Sequence, residues 1–288
     1  MTRQLARRSG RIGWIRNYRN FKSLQEISPG AALLVAAEYD RSRIISGVPL
    51  SVVDLHNWNP RVYATLHGLG FFNLLDLPDA PAADFPEGFY VQPLASEMAA
   101  NSRPALERIS DLFAKAGGDQ GMRLRLSGAV VDALENVRQH AYPPEHFSGV
   151  RHVPNWWFMG AADRKEKWLI LAVYDQGITI PVSLPRRFGL DHVVTMFRSW
   201  FSLPFDPADP SFDGEALEAA MRFSVSATGE PYRGKGLAKI QEVVGNCQGG
   251  RLRIVSRNGE YITDGKASRV QTHRVALPGT YLEITALF

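Results

Sequence analysis

Three short segments of this chain carry side chains suited to a phosphate-bearing ligand and a metal ion. In Asp132-Ala-Leu-Glu-Asn136-Val-Arg-Gln-His140-Ala-Tyr142, positions 132, 136 and 140 recur at the spacing that stacks side chains along one helical face. That face offers a carboxylate, an amide and an imidazole. An amide oxygen is a competent Mg²⁺ ligand that leaves water and phosphate oxygens to complete an octahedron, and a carboxylate one turn earlier could orient or deprotonate an attacking water. Glu135 points off that face. The second segment, Asp175-Gln176-Gly177-Ile178-Thr179-Ile180-Pro181, sets a carboxylate where an apolar run ends. Such a carboxylate can accept from an exocyclic amine, and Gly177 permits a close approach of a flat base to the backbone. The third, Tyr232-Arg233-Gly234-Lys235-Gly236-Leu237, is glycine-rich and stands ahead of a helical pattern, where backbone amides and a lysine favour phosphate oxygens. Singly, each segment also reads as ordinary structure: a polar helix face, a turn, a glycine-rich connection.

The elements that must position these residues follow from periodicity. Met122 to Tyr142 reads as an amphipathic helix and Glu97 to Ala116 as another before it. Val153 to Gly160 and Trp168 to Tyr174 are apolar runs around the charged Asp163 to Lys167, the pattern of a hairpin with a solvated tip, so a strand feeds Asp175. Of the adjacent Trp156 and Trp157, strand alternation expects one in the core and one on the surface. Residues 183–233 hold five prolines and one convincing helix, Gly214 to Val225, which suits a mobile cover. Gly234 to Cys247 reads as a helix, followed by strands at Arg251 to Ser256, Gln271 to Leu277 and Tyr281 to Phe288.

In this order the segments resemble the N, G1 and G2 boxes of the GHKL superfamily, the Bergerat-fold ATP-binding domains of gyrase, histidine kinases, anti-sigma kinases and mismatch-repair ATPases. Asn-x-x-x-His-Ala-Tyr, Asp-x-Gly-x-x-Ile and Arg-Gly-Lys-Gly-Leu are similar to the boxes of the anti-sigma serine kinases and histidine kinases. Downstream, Gly249-Gly250-Arg-Leu-Arg-Ile-Val-Ser256 and Gly279-Thr280 resemble the strand after the second glycine box and the closing Gly-Thr. The resemblance spans roughly residues 100 to 288. It implies an α/β (α+β) sandwich with a mixed, mostly antiparallel sheet, with ATP and Mg²⁺ as cofactors. It also implies Asn136 as metal ligand, Asp175 as adenine acceptor, Gly177 as the close-approach position, and Arg233, Gly234, Lys235, Gly236, Leu237 and Thr280 around the nucleotide. Asp132 takes the place of a catalytic glutamate and is one methylene shorter. Thr179 replaces the usual second glycine of the adenine loop, which would narrow the pocket or supply a hydroxyl.

The expected division is a small α/β domain over 1–95 and the ATP-binding domain over 96–288. In the first, a helix from Ser28 to Arg41, a strand from Pro49 to Leu55 and a helix from Asn59 to Leu77 weakly resemble a STAS-like module; a plain α/β packing domain is the equal alternative. A basic arm holds Arg3, Arg7, Arg8, Arg11, Arg16, Arg19 and Lys22, with Trp14, Tyr18 and Phe21 thinly interleaved, so nucleic acid is a minor expectation beside a solvated terminus. The 288 residues are 45% hydrophobic, with one cysteine and no apolar run long enough to cross a bilayer, which points to a soluble, cytoplasmic protein without a disulfide or membrane anchor.

The functional expectation is a Mg²⁺-dependent ATP-binding regulator, an ATPase or Ser/Thr kinase-like switch on a protein partner. The alternatives are a histidine kinase catalytic domain acting in trans and a non-catalytic ATP-gated interaction module. His56 and His67 flank no coiled-coil heptads and His146 follows a Pro-Pro turn, so the phosphoacceptor hairpin of the first alternative is missing. A homodimer is among the assemblies the sequence allows.

Overall fold

The computed structural model describes residues 20–48, 50–77, 80–98, 101–148, 152–226 and 236–288. The charged residues 164–167 form the exposed tip of the expected hairpin, between β3 (Asn155–Asp163) and β4 (Trp168–Asp175). These strands lie in a six-stranded sheet. Its order is β1 (Phe89–Val91), β3, β4, β6 (Ser268–Leu287) and β5 (Arg251–Thr263), with β2 (Ala95–Met98) also paired to β3. All pairings among the described residues are antiparallel, so the mixed sheet is not found.

Helices cover both faces of this sheet. Against one face pack α1 (Pro29–Ser46), α2 (Pro60–Gly68) and α3 (Phe71–Leu74), whose Leu33, Ala36, Val62, Leu66 and Phe71 share a core with Trp157, Met159, Ala172 and Tyr174. The other face holds Trp156, Phe158, Leu171, Val173 and Ile284 under the remaining helices. Alternating side chains of β3 therefore enter two different cores. Trp156 and Trp157 are both fully buried, so neither is the surface residue expected, because a sheet covered on both sides has no solvent face. The indole of Trp157 donates to Asp40 of α1 at 2.9 Å, which supplies its polar edge with a partner in the interior.

The N-terminal layer is helical where it is described. Ser28 caps α1 by accepting from the Ala31 amide, and Gly47 ends the helix with a left-handed φ of 69°. The strand expected at Pro49 to Leu55 is absent among the described residues; Pro49 itself lies outside them. An isolated bridge at Val52 leads into a short 3-10 turn at Leu55–Asn57, and the Val53 carbonyl accepts from the Trp58 indole instead of from a neighbouring strand. The division expected at 95/96 falls inside β2, which pairs with β3. The helix expected from Glu97 begins only at Arg103, because Glu97 and Met98 belong to that strand.

The described part of the proline-rich stretch is not an irregular cover. Two helices precede the expected one: α6 (Ile180–Phe188) and α7 (Leu190–Phe201), which follow α4 (Arg103–Ala116) and α5 (Gln120–Asn136) in chain order. Next comes α8 (Asp213–Ser226), and after residues 227–235 the last helix, α9 (Gly236–Gly245). The four-residue spacing of Val193 and Phe197 was the available signal; both are fully buried. Phe197 meets Phe201 and Phe205 with ring centroids 4.9 and 5.1 Å away. Phe197→Ala is therefore expected to cost about 3–5 kcal/mol in urea denaturation, the range for truncating a buried aromatic. A loss below about 1 kcal/mol would show that α7 is only loosely docked. Among the described residues no helix is long and apolar enough to cross a membrane.

Candidate functional site

A narrow cleft of ≈ 750 Å³, mouth included, opens between the sheet and the helices on the face opposite α1. Its walls are mostly apolar, with Val137, Val173, Leu184, Leu237, Ile254 and Leu282 among them. Five residues that the resemblance places at the nucleotide line it together: Asn136, Asp175, Thr179, Leu237 and Thr280. They come from the end of α5, the end of β4, the start of α6, α9 and β6.

The helix carrying Asn136 changes character there. Regular α-helix stops at Asn136 and a single π turn follows over Val137–Ala141. Such turns are rare and concentrate at functional sites. Asn136 and His140 both reach the cleft, but Asp132 does not line it: its carboxylate pairs with Lys239 of α9 at 2.9 Å. The carboxylate expected to handle a water faces α9 instead, because α9 packs along α5 and brings a lysine close to it, although Oδ2 makes no hydrogen bond among the described residues.

At the strand ends Asp175 sits opposite Thr280 in the ladder and is 5% exposed. Burial pushes its carboxyl up to about 7, against the lowering effect of hydrogen bonds from the Gly177 and Thr280 amides. The loop beyond it is anchored on three sides. Ile178 donates to the Ala141 carbonyl at 2.9 Å, and Gln176 donates its amide to the Tyr142 hydroxyl, which in turn donates to the Asn155 carbonyl. The Gln176 side chain reaches Glu38 of α1 at 3.1 Å, so the N-terminal layer holds this loop too. Gly177 does not line the cleft. A Cβ there would lie 2.3 Å from the Ala141 carbonyl oxygen, so the close approach that requires glycine is between two backbone segments and not to a base.

Gly236 opens α9 directly beside Asn136; a Cβ on it would come 3.2 Å from the Asn136 Oδ1. Arg233, Gly234 and Lys235, the other expected phosphate-loop residues, lie outside the described residues.

Sequence reasoning missed part of the wall. Arg187 of α6 lines the cleft with no carboxylate partner among the described residues, and it continues with His140 and Ser183 into a polar vestibule bounded by Gln139, Pro143 and Arg186. Burial, then the Arg187 charge, push His140 down to about 4 while Glu135 opposes, so the imidazole is neutral near pH 7. Ser256, fully buried, accepts from the Ile180 amide at 2.9 Å and bonds the Thr280 hydroxyl at 2.8 Å. Nothing in the local sequence around Arg187 or Ser256 signals this convergence.

Three polar atoms of the lining are buried and without a partner among the described residues: Asn136 Nδ2, His140 Nε2 and Thr179 Oγ1. Buried polar groups are normally paired, so an apolar slot holding three unpaired ones is chemically suited to a flat ligand with polar edges. No group of three His, Cys, Asp or Glu able to hold a metal occurs among the described residues. A metal here would draw on a single amide and on ligand oxygens. Comparisons with known protein families, with curated proteins and with solved structures found no match.

Proposed function

We propose that this protein binds ATP with Mg²⁺ in the cleft and is a regulatory ATP-binding protein of the GHKL type acting on a protein partner. The observation that carries the proposal is the convergence of Asn136, Asp175, Thr179, Leu237 and Thr280, spread over 145 positions, on one apolar slot. Asp175 would accept from the exocyclic amine of adenine, while the aliphatic walls take the ring faces. Asn136 Oδ1 would hold Mg²⁺, whose charge offsets that of the phosphates; the single protein ligand fits a metal that keeps its waters. Arg187 supplies a positive charge to the lining, with no carboxylate partner among the described residues, beside a histidine that adds no second charge at neutral pH. Helix α9 begins at Gly236 beside Asn136, and a helix start favours phosphate oxygens.

That Asp132 does not line the cleft supports binding over turnover, which favours an ATP-gated interaction module over a kinase or ATPase. Incubation with γ-labelled ATP separates the readings: acid-stable label on protein for a Ser/Thr kinase, acid-labile label for a histidine kinase, and none for the gated module. For the binding itself, calorimetry should show ATP affinity rising with Mg²⁺ in the wild type and independent of Mg²⁺ in Asn136→Ala. GTP, which presents a carbonyl to Asp175, should compete poorly. Equal wild-type affinity with and without Mg²⁺, or equal competition by GTP, would overturn the proposal.

A further inference from the structure

Thr179 occupies a backbone conformation made for glycine. Its φ of 78° with ψ of 153° lies in a region that β-branched residues almost never adopt. It stands at the N-cap position of α6, where a threonine ordinarily uses its hydroxyl on the first amides of the helix, yet this hydroxyl makes no such bond. The work is done from another strand: Ser256 Oγ accepts from the Ile180 amide at 2.9 Å, and Pro181 has no amide to satisfy. Thr179 Oγ1 is left buried, without a partner among the described residues, in the lining of the cleft. A strained backbone, a cap supplied by a residue 77 positions away and an unused buried hydroxyl have no common structural purpose. They share one as a ligand contact.

We infer that Thr179 is a specificity-determining contact of this site, its hydroxyl hydrogen-bonding the nitrogen-rich edge of a bound purine next to Asp175. The inference rests on the nucleotide reading and deepens it. A hydroxyl can both donate and accept, so it donates to the unprotonated ring nitrogen beside the amine that Asp175 takes. The fold gives up backbone comfort to place that hydroxyl, because glycine would hold the loop equally well and bring no polar atom.

The test compares wild type with Thr179→Gly and Thr179→Ser, using ATP with Mg²⁺ in calorimetry and urea denaturation without ligand. Thr179→Gly is expected to unfold at a higher urea concentration than wild type and to bind ATP about tenfold or more weakly, the scale of one lost buried hydrogen bond. Thr179→Ser, which keeps the hydroxyl, is expected to bind within about threefold of wild type. A glycine variant that binds as tightly as wild type, or a serine variant that loses as much as the glycine one, would overturn the contact. A glycine variant less stable than wild type would overturn the strain argument. Wild type that binds ATP while the glycine variant matches it removes this inference alone; wild type that binds no nucleotide removes the functional reading and this inference with it.

Discussion

Asp175→Asn is expected to abolish nucleotide binding while making the unliganded protein more stable above neutral pH. The folded protein holds a proton on Asp175 up to about pH 7, whereas an unfolded aspartate releases it near 3.8. Between those values the native state binds more protons than the unfolded chain, so this residue's contribution to stability falls as pH rises and is lost above about 7. Asparagine carries no charge to desolvate and its oxygen can still accept from the Gly177 amide. Relative to wild type, the variant should gain on the order of 4 kcal/mol at alkaline pH and little or nothing at acid pH. Binding should move the other way. A carboxylate accepts from an amine more strongly than a protonated acid does, so wild-type affinity for ATP should rise as pH climbs through about 7, with proton release on binding below it. The variant should lose at least about 100-fold, since its amide brings a donor to face the ligand's donor. Denaturation curves on both sides of neutrality and calorimetry in buffers of differing ionisation enthalpy measure both effects. If the variant binds ATP as wild type does, or the stability difference does not grow with pH, Asp175 is only a turn residue.

Gly177→Ala should be among the most damaging single methyl groups that can be added near the cleft. The new carbon would lie 2.3 Å from the Ala141 carbonyl oxygen and 2.5 Å from the Ala141 Cβ, and the first of these neighbours is backbone. Relief would require parting the loop after Asp175 from the π turn, which breaks the bond from Ile178 to Ala141 and pulls Asp175 away from His140 and Asn136. A loss of about 3 kcal/mol or more follows, and any folded fraction should bind ATP poorly. Gly128→Ala is the matched control. It lies inside α5 with open space around its Cα, so alanine there should stabilise by about 0.5–1 kcal/mol. Similar melting temperatures for the two variants would show that the loop and the π turn are not rigidly joined.

Residues 89–175 show how local pattern and tertiary context divide the description. The hairpin, its exposed tip and the strand that ends in Asp175 were legible, because strand alternation and a charged turn act over neighbouring residues. Of the two edge strands, the apolar run Phe89 to Val91 reads as a short strand and is β1, whereas β2, four residues long, owes its form to β3 beside it. The helix α6 was hidden by its own prolines, and α7 by the prolines that stand on either side of it. Pro181 stands in the first turn, where a missing amide costs nothing, and Pro185 is tolerated inside a helix of only nine residues.

By itself the sequence determined which residue types stand at which intervals: an amide and an imidazole four apart on a helix, a carboxylate at a strand end, a glycine-rich segment before a helix, and the antiparallel hairpin that carries the carboxylate. These follow from helix and strand periods, which are properties of adjacent residues. Only the tertiary structure decided what each group faces. It closed both sides of the sheet over Trp156 and Trp157, gave Asp132 to Lys239, and set the Ala141 carbonyl where Gly177 must have no side chain. It also let Ser256 take over the first amide of α6, leaving the Thr179 hydroxyl without a partner among the described residues, and brought Arg187 to the cleft beside His140. Each of these is a contact between segments far apart in the chain, fixed by how whole helices pack on the sheet, and no spacing within one segment encodes it.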